Sequence, residues 1–275
     1  MFQDSEREPE AEATYRRSIE VYRTPGIDFG VAASDPVANL GVLRYNQGRY
    51  DDASIYMQEA IDIRQKYLPP DHPDLMDAEY NYASVLDRKH HEIDAEPIYR
   101  RLLALYQRIL GPNNIDTLMA QYGVAQNLLR QKRYAEAAET ARPAAEGLSR
   151  VAGDGHDWTQ TAWSYYGLAA CLSGQGQEGL TVLHRVAALR REGPDANQWR
   201  KSISDVQLGT CLVLLKRFAE AEPLLLEAVA SLQSVRGASY DHTQAGYLAL
   251  RDLYANTGRE TESAIWQKKI LPGNR

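Results

Sequence analysis

The chain has 275 residues, is 44% hydrophobic and 25% charged, and carries a formal net charge of −6. That is the composition of an ordinary folded chain. Its Lys/Arg and Asp/Glu are interspersed, without the concentrated basic surface that nucleic acid or an anionic membrane requires. No stretch approaches the ~18 consecutive apolar residues of a membrane span. The acidic start Met1-Phe2-Gln3-Asp4-Ser5-Glu6 lacks the apolar core of a secretory leader, so a cytoplasmic location is the default expectation.

The first predicted element is a helix over residues 8–23, with Ala11, Tyr15, Ile19 and Tyr22 on one face. Six helical hairpins are expected after it, over 34–67, 74–110, 116–152, 157–191, 198–236 and 240–271. Each hairpin has a first helix, A, and a second, B. In the hairpin of 74–110, Asp74 can cap helix A, and Tyr82, Ala83 and Leu86 supply its apolar face. Helix B begins near Asp94-Ala95-Glu96-Pro97 and stops at Gly111-Pro112. Comparable starts occur at Ser34-Asp35-Pro36, Asp116-Thr117, Asp157 with Gln160, and Asp241 with Gln244, the last two spaced as in a capping box. Breakers recur at Pro69-Pro70, Gly111-Pro112, Gly153-Asp154-Gly155 and Gly193-Pro194-Asp195. Pro143, inside a B helix, is expected to remove one backbone hydrogen bond and kink it. No segment alternates long enough to read as a strand.

These hairpins are copies of one unit with a period of 42 residues. Small residues fall at Ala11, Ala53, Ala95, Ala137, Gly179, Ala221 and Ser263. A fixed period of this size means a solenoid in which each unit packs on its neighbours. The count is six A helices and seven B helices, so the helix over 8–23 is a B helix without an A partner. It either caps the array or is the remnant of a longer chain, and the second reading is preferred.

The pattern resembles the tetratricopeptide repeat, in its 42-residue form found in kinesin light chain and in bacterial signalling proteins. Leu40-Gly41, Gly48-Arg49-Tyr50 and Ala53 follow that signature in order. So do Ala83 with Ala95, Ala125 with Tyr134 and Ala137, and Gly209 with Phe218 and Ala221. Trp163, with Gly167 four residues on, stands where the family often has tryptophan. The resemblance implies an all-α, right-handed superhelical solenoid of antiparallel helix pairs. It also implies a concave groove lined by the A helices, which binds peptide or protein partners.

On that resemblance, the groove residues are Asn39, Asn81, Tyr80, Arg88, Tyr122, Gln126, Arg130 and Tyr165, with Ser84 nearby. Asn39 and Asn81 match asparagines that hold a ligand's backbone, since an amide both donates and accepts; local bonding within the solenoid is the other reading. Arg88 and Arg130 lie one period apart and suit a carboxylate ligand. Solvated charges bridging neighbouring units are the alternative. Tyr80, Tyr122 and Tyr165 either offer contact area to a ligand or pack between helices, and Trp163 and Tyr166 are assigned to the core. The chaperone-tail carboxylate clamp of some members is not expected, because Asp35, Met119 and Gly123 occupy positions where it needs other residues.

His90-His91 fall at an A–B turn and lack the companions of a zinc site. His72 and His156, two periods apart, read as repeated loop sequence. Cys171 and Cys211 are the only cysteines and are expected as buried free thiols, compatible with a reducing compartment. No phosphate loop, nucleophile elbow or kinase signature is present. The expectation is a non-catalytic scaffold without cofactor or metal, binding a protein or peptide partner with acidic segments favoured, and monomeric or weakly self-associating through its first helix. The alternative is a regulatory or self-association module acting in cis on an effector outside this chain.

Overall fold

The computed structural model describes residues 8–192 and 198–271 and is all-α. The Met1–Glu6 segment and the Gly193-Pro194-Asp195 breaker lie outside the described residues. Thirteen α-helices are described: α1 Glu8–Tyr22, α2 Ser34–Asn46, α3 Tyr50–Tyr67, α4 Pro73–Arg88, α5 Glu92–Leu110, α6 Ile115–Arg130, α7 Tyr134–Ala152, α8 Asp157–Leu172, α9 Gly176–Glu192, α10 Gln198–Leu214, α11 Phe218–Arg236, α12 Asp241–Asn256 and α13 Glu260–Gln267. A single 3-10 turn, Gly30–Ala33, precedes α2. The chain divides into two compact units, Met1–Ile109 and Leu110–Arg275.

The period is written into the turns. One residue between each A and B helix has positive φ: Gly48, His90, Lys132, Gly174, Lys216 and Gly258, all 42 apart. The following residue donates its N–H to a carbonyl five residues back, as Arg49 does to Arg44 at 2.9 Å and Arg133 to Leu128 at 3.0 Å. This closure satisfies helix-end carbonyls and needs the left-handed conformation. Glycine adopts it freely, while His90, Lys132 and Lys216 carry a steric cost.

The starts of the A helices differ from expectation. Asp74 does not cap α4; His72 does, its Nδ1 accepting from Asp74 N–H at 3.2 Å. Pro73 suits the first turn because its φ is preset, which leaves Asp74 inside the helix. Asn114 caps α6 by accepting from Asp116 N–H at 2.8 Å, and His156 caps α8 through Trp158 N–H at 3.3 Å. The recurrence of His72 and His156 is thus a capping position, shared one period between them by Asn114. Gln160 and Gln244 turn instead to loop carbonyls, those of Gly155 and Ala238. α7 runs unbroken through Pro143.

In the first unit, Ile19 of α1 packs with Val37, Leu40 and Leu43 of α2 and Ala60 of α3, with Tyr15 partly buried beside them. α1 adds a polar anchor: Arg44, 1% exposed, is paired with Glu12 and also bonds Gln47 Oε1 at 2.6 Å. Hydrogen bonds from Arg44 and then Arg16 pull the Glu12 carboxyl down to about 2. Equivalent positions one and two periods on hold leucine, Leu86 and Leu128. In the second unit a continuous core includes Leu183, Val206, Leu225, Val229, Leu250 and Leu253.

Two arginines three periods apart tie successive pairs together in the same way. Arg64 bonds Ser34 Oγ at 3.0 Å and the Asp74 carbonyl at 2.6 Å. Arg190 bonds Thr161 Oγ1 at 3.0 Å, the Arg200 carbonyl at 2.9 Å and Ser204 Oγ at 2.7 Å. Each reaches back to its own A helix and forward to the next. Burial, with Arg200 nearby, pushes Arg190 down to about 10, so it stays charged at neutral pH.

The expectation of free thiols is corrected. Cys171 of α8 and Cys211 of α10 form a disulfide, with Cα atoms 5.6 Å apart, inside the ordinary range for such a bond. Support from free thiols for a reducing compartment goes with it. The physical reason is register: Cys211 is 40 residues after Cys171, nearly one period, and α8 packs directly against α10. Among the described residues no helix is long and apolar enough to cross a membrane.

Candidate functional site

The expected groove residues divide between the two units. In the first, Asn39 on α2 and Asn81 on α4 are exposed and, among the described residues, make no side-chain hydrogen bond. Tyr80 is half-buried, its ring 5.3 Å from that of Tyr99 in an edge contact. Tyr99 is buried and gives a 3.2 Å bond to Asp87 Oδ2; burial, with the Asp87 charge, drives its phenol well above the usual range. Arg88 lies over the Tyr45 ring at 5.8 Å and donates to Tyr45 Oη at 3.1 Å. Ser84 shares a 3.1 Å hydrogen bond with Tyr99. Tyr80 and Arg88 are therefore engaged within the helix layers, while the two asparagines face outward.

In the second unit the other four residues converge. Tyr122, only 7% exposed, meets Tyr165 edge to face at 5.2 Å. Gln126 Nε2 donates to Tyr165 Oη at 2.9 Å. Tyr165 also stands 6.5 Å from the ring of His242. Arg130 Nη2 donates to Asp241 Oδ2 at 2.8 Å. Tyr122 thus takes the packed reading, and Tyr165 joins packing to a partly open surface.

The last contact fixes the form of this unit's A layer. Helices α6, α8, α10 and α12 pack side by side in that order. Arg130 ends α6 and Asp241 begins α12, 111 residues later. A flat solenoid layer brings only neighbours together. The first and last of four A helices meet because the layer curls across the crossings between them. Asp241 and His242 were read in the sequence only as a helix start. The usable signal was that Asp241 lies two periods beyond Asp157, whose carboxylate pairs with Arg200.

Other expected residues have structural work. Tyr166, 2% exposed, donates to Glu178 Oε1 at 2.6 Å, and burial with that bond pushes its phenol up to about 12. Trp163 is only partly buried and gives its indole N–H to Ser149 Oγ at 2.8 Å. His90 holds the left-handed turn position, and His91 Nδ1 lies 3.2 Å from Asp94 Oδ2. In the first unit a cavity of about 190 Å³ lies beneath the loop after α1, lined in part by Tyr22, Phe29, Ile63 and Tyr67.

Comparison with known proteins agrees with this geometry. Models of the tetratricopeptide repeat match residues 38–74 and 92–150. A curated relative, the clustered mitochondria protein homolog of Aspergillus clavatus, is 25% identical over 130 residues, 46% of this chain. The match spans 10% of that relative's length. A putative kinesin light chain from Podosopora anserina with nearly identical TPR-like repeats superposes with a TM-score of 0.61 at 17% identity, covering 76% of this chain and 99% of that one. A Rap protein complexed with Competence and Sporulation Factor gives a TM-score of 0.71 at 12% identity, covering 98% of this chain and 71% of that one. At such identities these structures speak to the fold alone. Period, turn geometry, helix pairing and the matched residues together show tetratricopeptide repeats over 38–74 and 92–150 within an all-α repeat fold, the kind of array that serves protein interaction.

Proposed function

We propose that the chain is a non-catalytic scaffold that binds a peptide or an extended protein segment on the face of its A helices, with a preference for acidic segments. The observation that carries this reading is the curled A layer of the second unit, where Gln126 bonds Tyr165 and Arg130, one turn on, reaches across to Asp241. An aromatic ring, an amide and a guanidinium supply contact area, backbone pairing and carboxylate recognition. Asn39 and Asn81 support the same reading in the first unit, because their amides are exposed and unspent. A layer already held by helix packing loses little ordering entropy when occupied. The Rap protein solved with a bound factor is an example of this fold holding a ligand.

The test is peptide-display selection on the purified chain, then titration of the enriched peptide against a variant altered at Asn39, Asn81, Arg88 and Arg130. Lost binding with unchanged helicity supports the assignment; unchanged affinity sinks it.

A second reading, regulation or self-association through α1, rests on one observation. α1 buries only Ile19 fully and leaves Val21 52% exposed. Sedimentation across a wide concentration range tests it: a mass independent of concentration argues against self-association.

A further inference from the structure

The Arg130–Asp241 pair lies on the face to which the proposed function assigns the ligand. Both side chains are partly exposed, at 22% and 32%. An ion pair so placed contributes little net stability, because water competes for both partners. At that position the guanidinium donates to a carboxylate that burial does not lock in place. If released, Asp241 stays in the first turn of α12, where the helix dipole favours its charge. Exchange costs the chain no buried, unpaired acid.

A second observation concerns the neighbours of the pair. Gln126, one turn before Arg130 on α6, donates to Tyr165 Oη at 2.9 Å, and the Tyr165 ring stands 6.5 Å from that of His242, the residue after Asp241. A partly exposed aromatic ring beside the ion pair gives an arriving peptide contact area.

We propose that Arg130 is a carboxylate-binding position which the chain's own Asp241 occupies at rest, so that an acidic peptide binds by exchanging its carboxylate for that of Asp241. This rests on the peptide-binding reading and sharpens it. A neutral ligand must open the bridge uncompensated, whereas an acidic one replaces like with like. The pair that the curl of the A layer brings together therefore selects what enters it. The incoming carboxylate can belong to an acidic side chain or to a peptide C-terminus.

Fluorescence anisotropy with short fluorescein-labelled peptides tests the exchange on the full chain. One peptide alternates Glu with Ala and is C-terminally amidated. A second has Gln for Glu and a free C-terminus, and a third has Gln for Glu and is amidated. Asp241→Asn keeps the side-chain shape and removes the competing charge. The expected result is about tenfold tighter binding to this variant than to wild type for the carboxylate source the site uses, equivalent to about 1.4 kcal/mol. The neutral amidated peptide shows no gain, and adding Arg130→Gln abolishes the gain, with circular dichroism checking the fold. A gain for the first peptide alone assigns a side-chain carboxylate, and a gain for the second alone assigns a C-terminus. Equal affinities of wild type and Asp241→Asn for both carboxylate peptides overturn the exchange. The display-selected peptide judges the binding reading separately: if it binds wild type and Asp241→Asn alike, that reading stands and the exchange falls.

Discussion

Gly179→Ala is the sharpest test of how the helix pairs are built. Gly179 holds, in α9, the period position filled by Ala53, Ala95, Ala137 and Ala221 in other hairpins. A Cβ at Gly179 would lie 2.8 Å from Cys171 N and 2.5 Å from Cys171 Sγ, and against the Gly167 carbonyl oxygen. These obstacles are backbone or a sulfur tied into a disulfide, so α8 and α9 must separate. Overpacking costs about 1–3 kcal/mol, and three fixed obstacles all under 3.0 Å put this site in the upper part of that range, about 2–3 kcal/mol, offset by about 1 kcal/mol of helix propensity gained by replacing glycine. The expected net loss is about 1–2 kcal/mol. Gly41→Ala is the control. There the obstacle at 2.9 Å is Met57 Cγ, an adaptable side chain, although Met57 N stands at 3.3 Å. That variant should stay within about 0.5 kcal/mol of wild type, since propensity and crowding offset one another. Urea unfolding followed by circular dichroism measures both, with hydrogen exchange of α8 and α9 locating the loss. A Gly179→Ala protein as stable as wild type would refute the close-crossing argument.

Three further outcomes follow from particular residues. Replacing Lys132 or Lys216, at φ 60 in equivalent turns, with glycine should stabilise the chain by about 0.5–1 kcal/mol, read as a shifted urea midpoint. Glu12, drawn from 4.5 to about 2, binds its proton more weakly folded than unfolded. Its contribution is full above pH 4.5 and lost as pH falls towards 2, so hydrogen-exchange protection in α1, taken relative to the intrinsic rate at each pH, should fall over that range, and Glu12→Gln should remove the dependence. Reducing the Cys171–Cys211 bond, which closes a loop of 40 residues in sequence separation, should cost about 4 kcal/mol on the chain-entropy account. Paired unfolding curves with and without reductant measure that cost, and identical curves would count against the bond.

The repeat was legible because its constraints are local and recur. Each A–B crossing needs a small residue, and each turn needs a left-handed residue before an N–H that closes back. Those demands leave Ala53, Ala95 and Ala137 in register whatever the surface does. The caps were misread for a chemical reason: a histidine Nδ1 can cap as an aspartate does, and Asp74 drew attention from His72. The disulfide was within reach, since Cys171 and Cys211 stand nearly one period apart on A helices that pack together. Arg130 meeting Asp241 was not, because that contact depends on curvature summed over three helix crossings. Likewise, nothing in the period tells that Asn39 faces outward while Gln207 is buried in the same register.

The measurement closest to the central claim is covalent mapping of a bound peptide. A display-selected peptide carrying a photoreactive benzophenone is bound, irradiated and located on the chain by mass spectrometry. The account predicts adducts on A helices, with α6, α8, α10 and α12 marked in the second unit. Adducts confined to the B helices, or unchanged by Arg130→Glu, would contradict it.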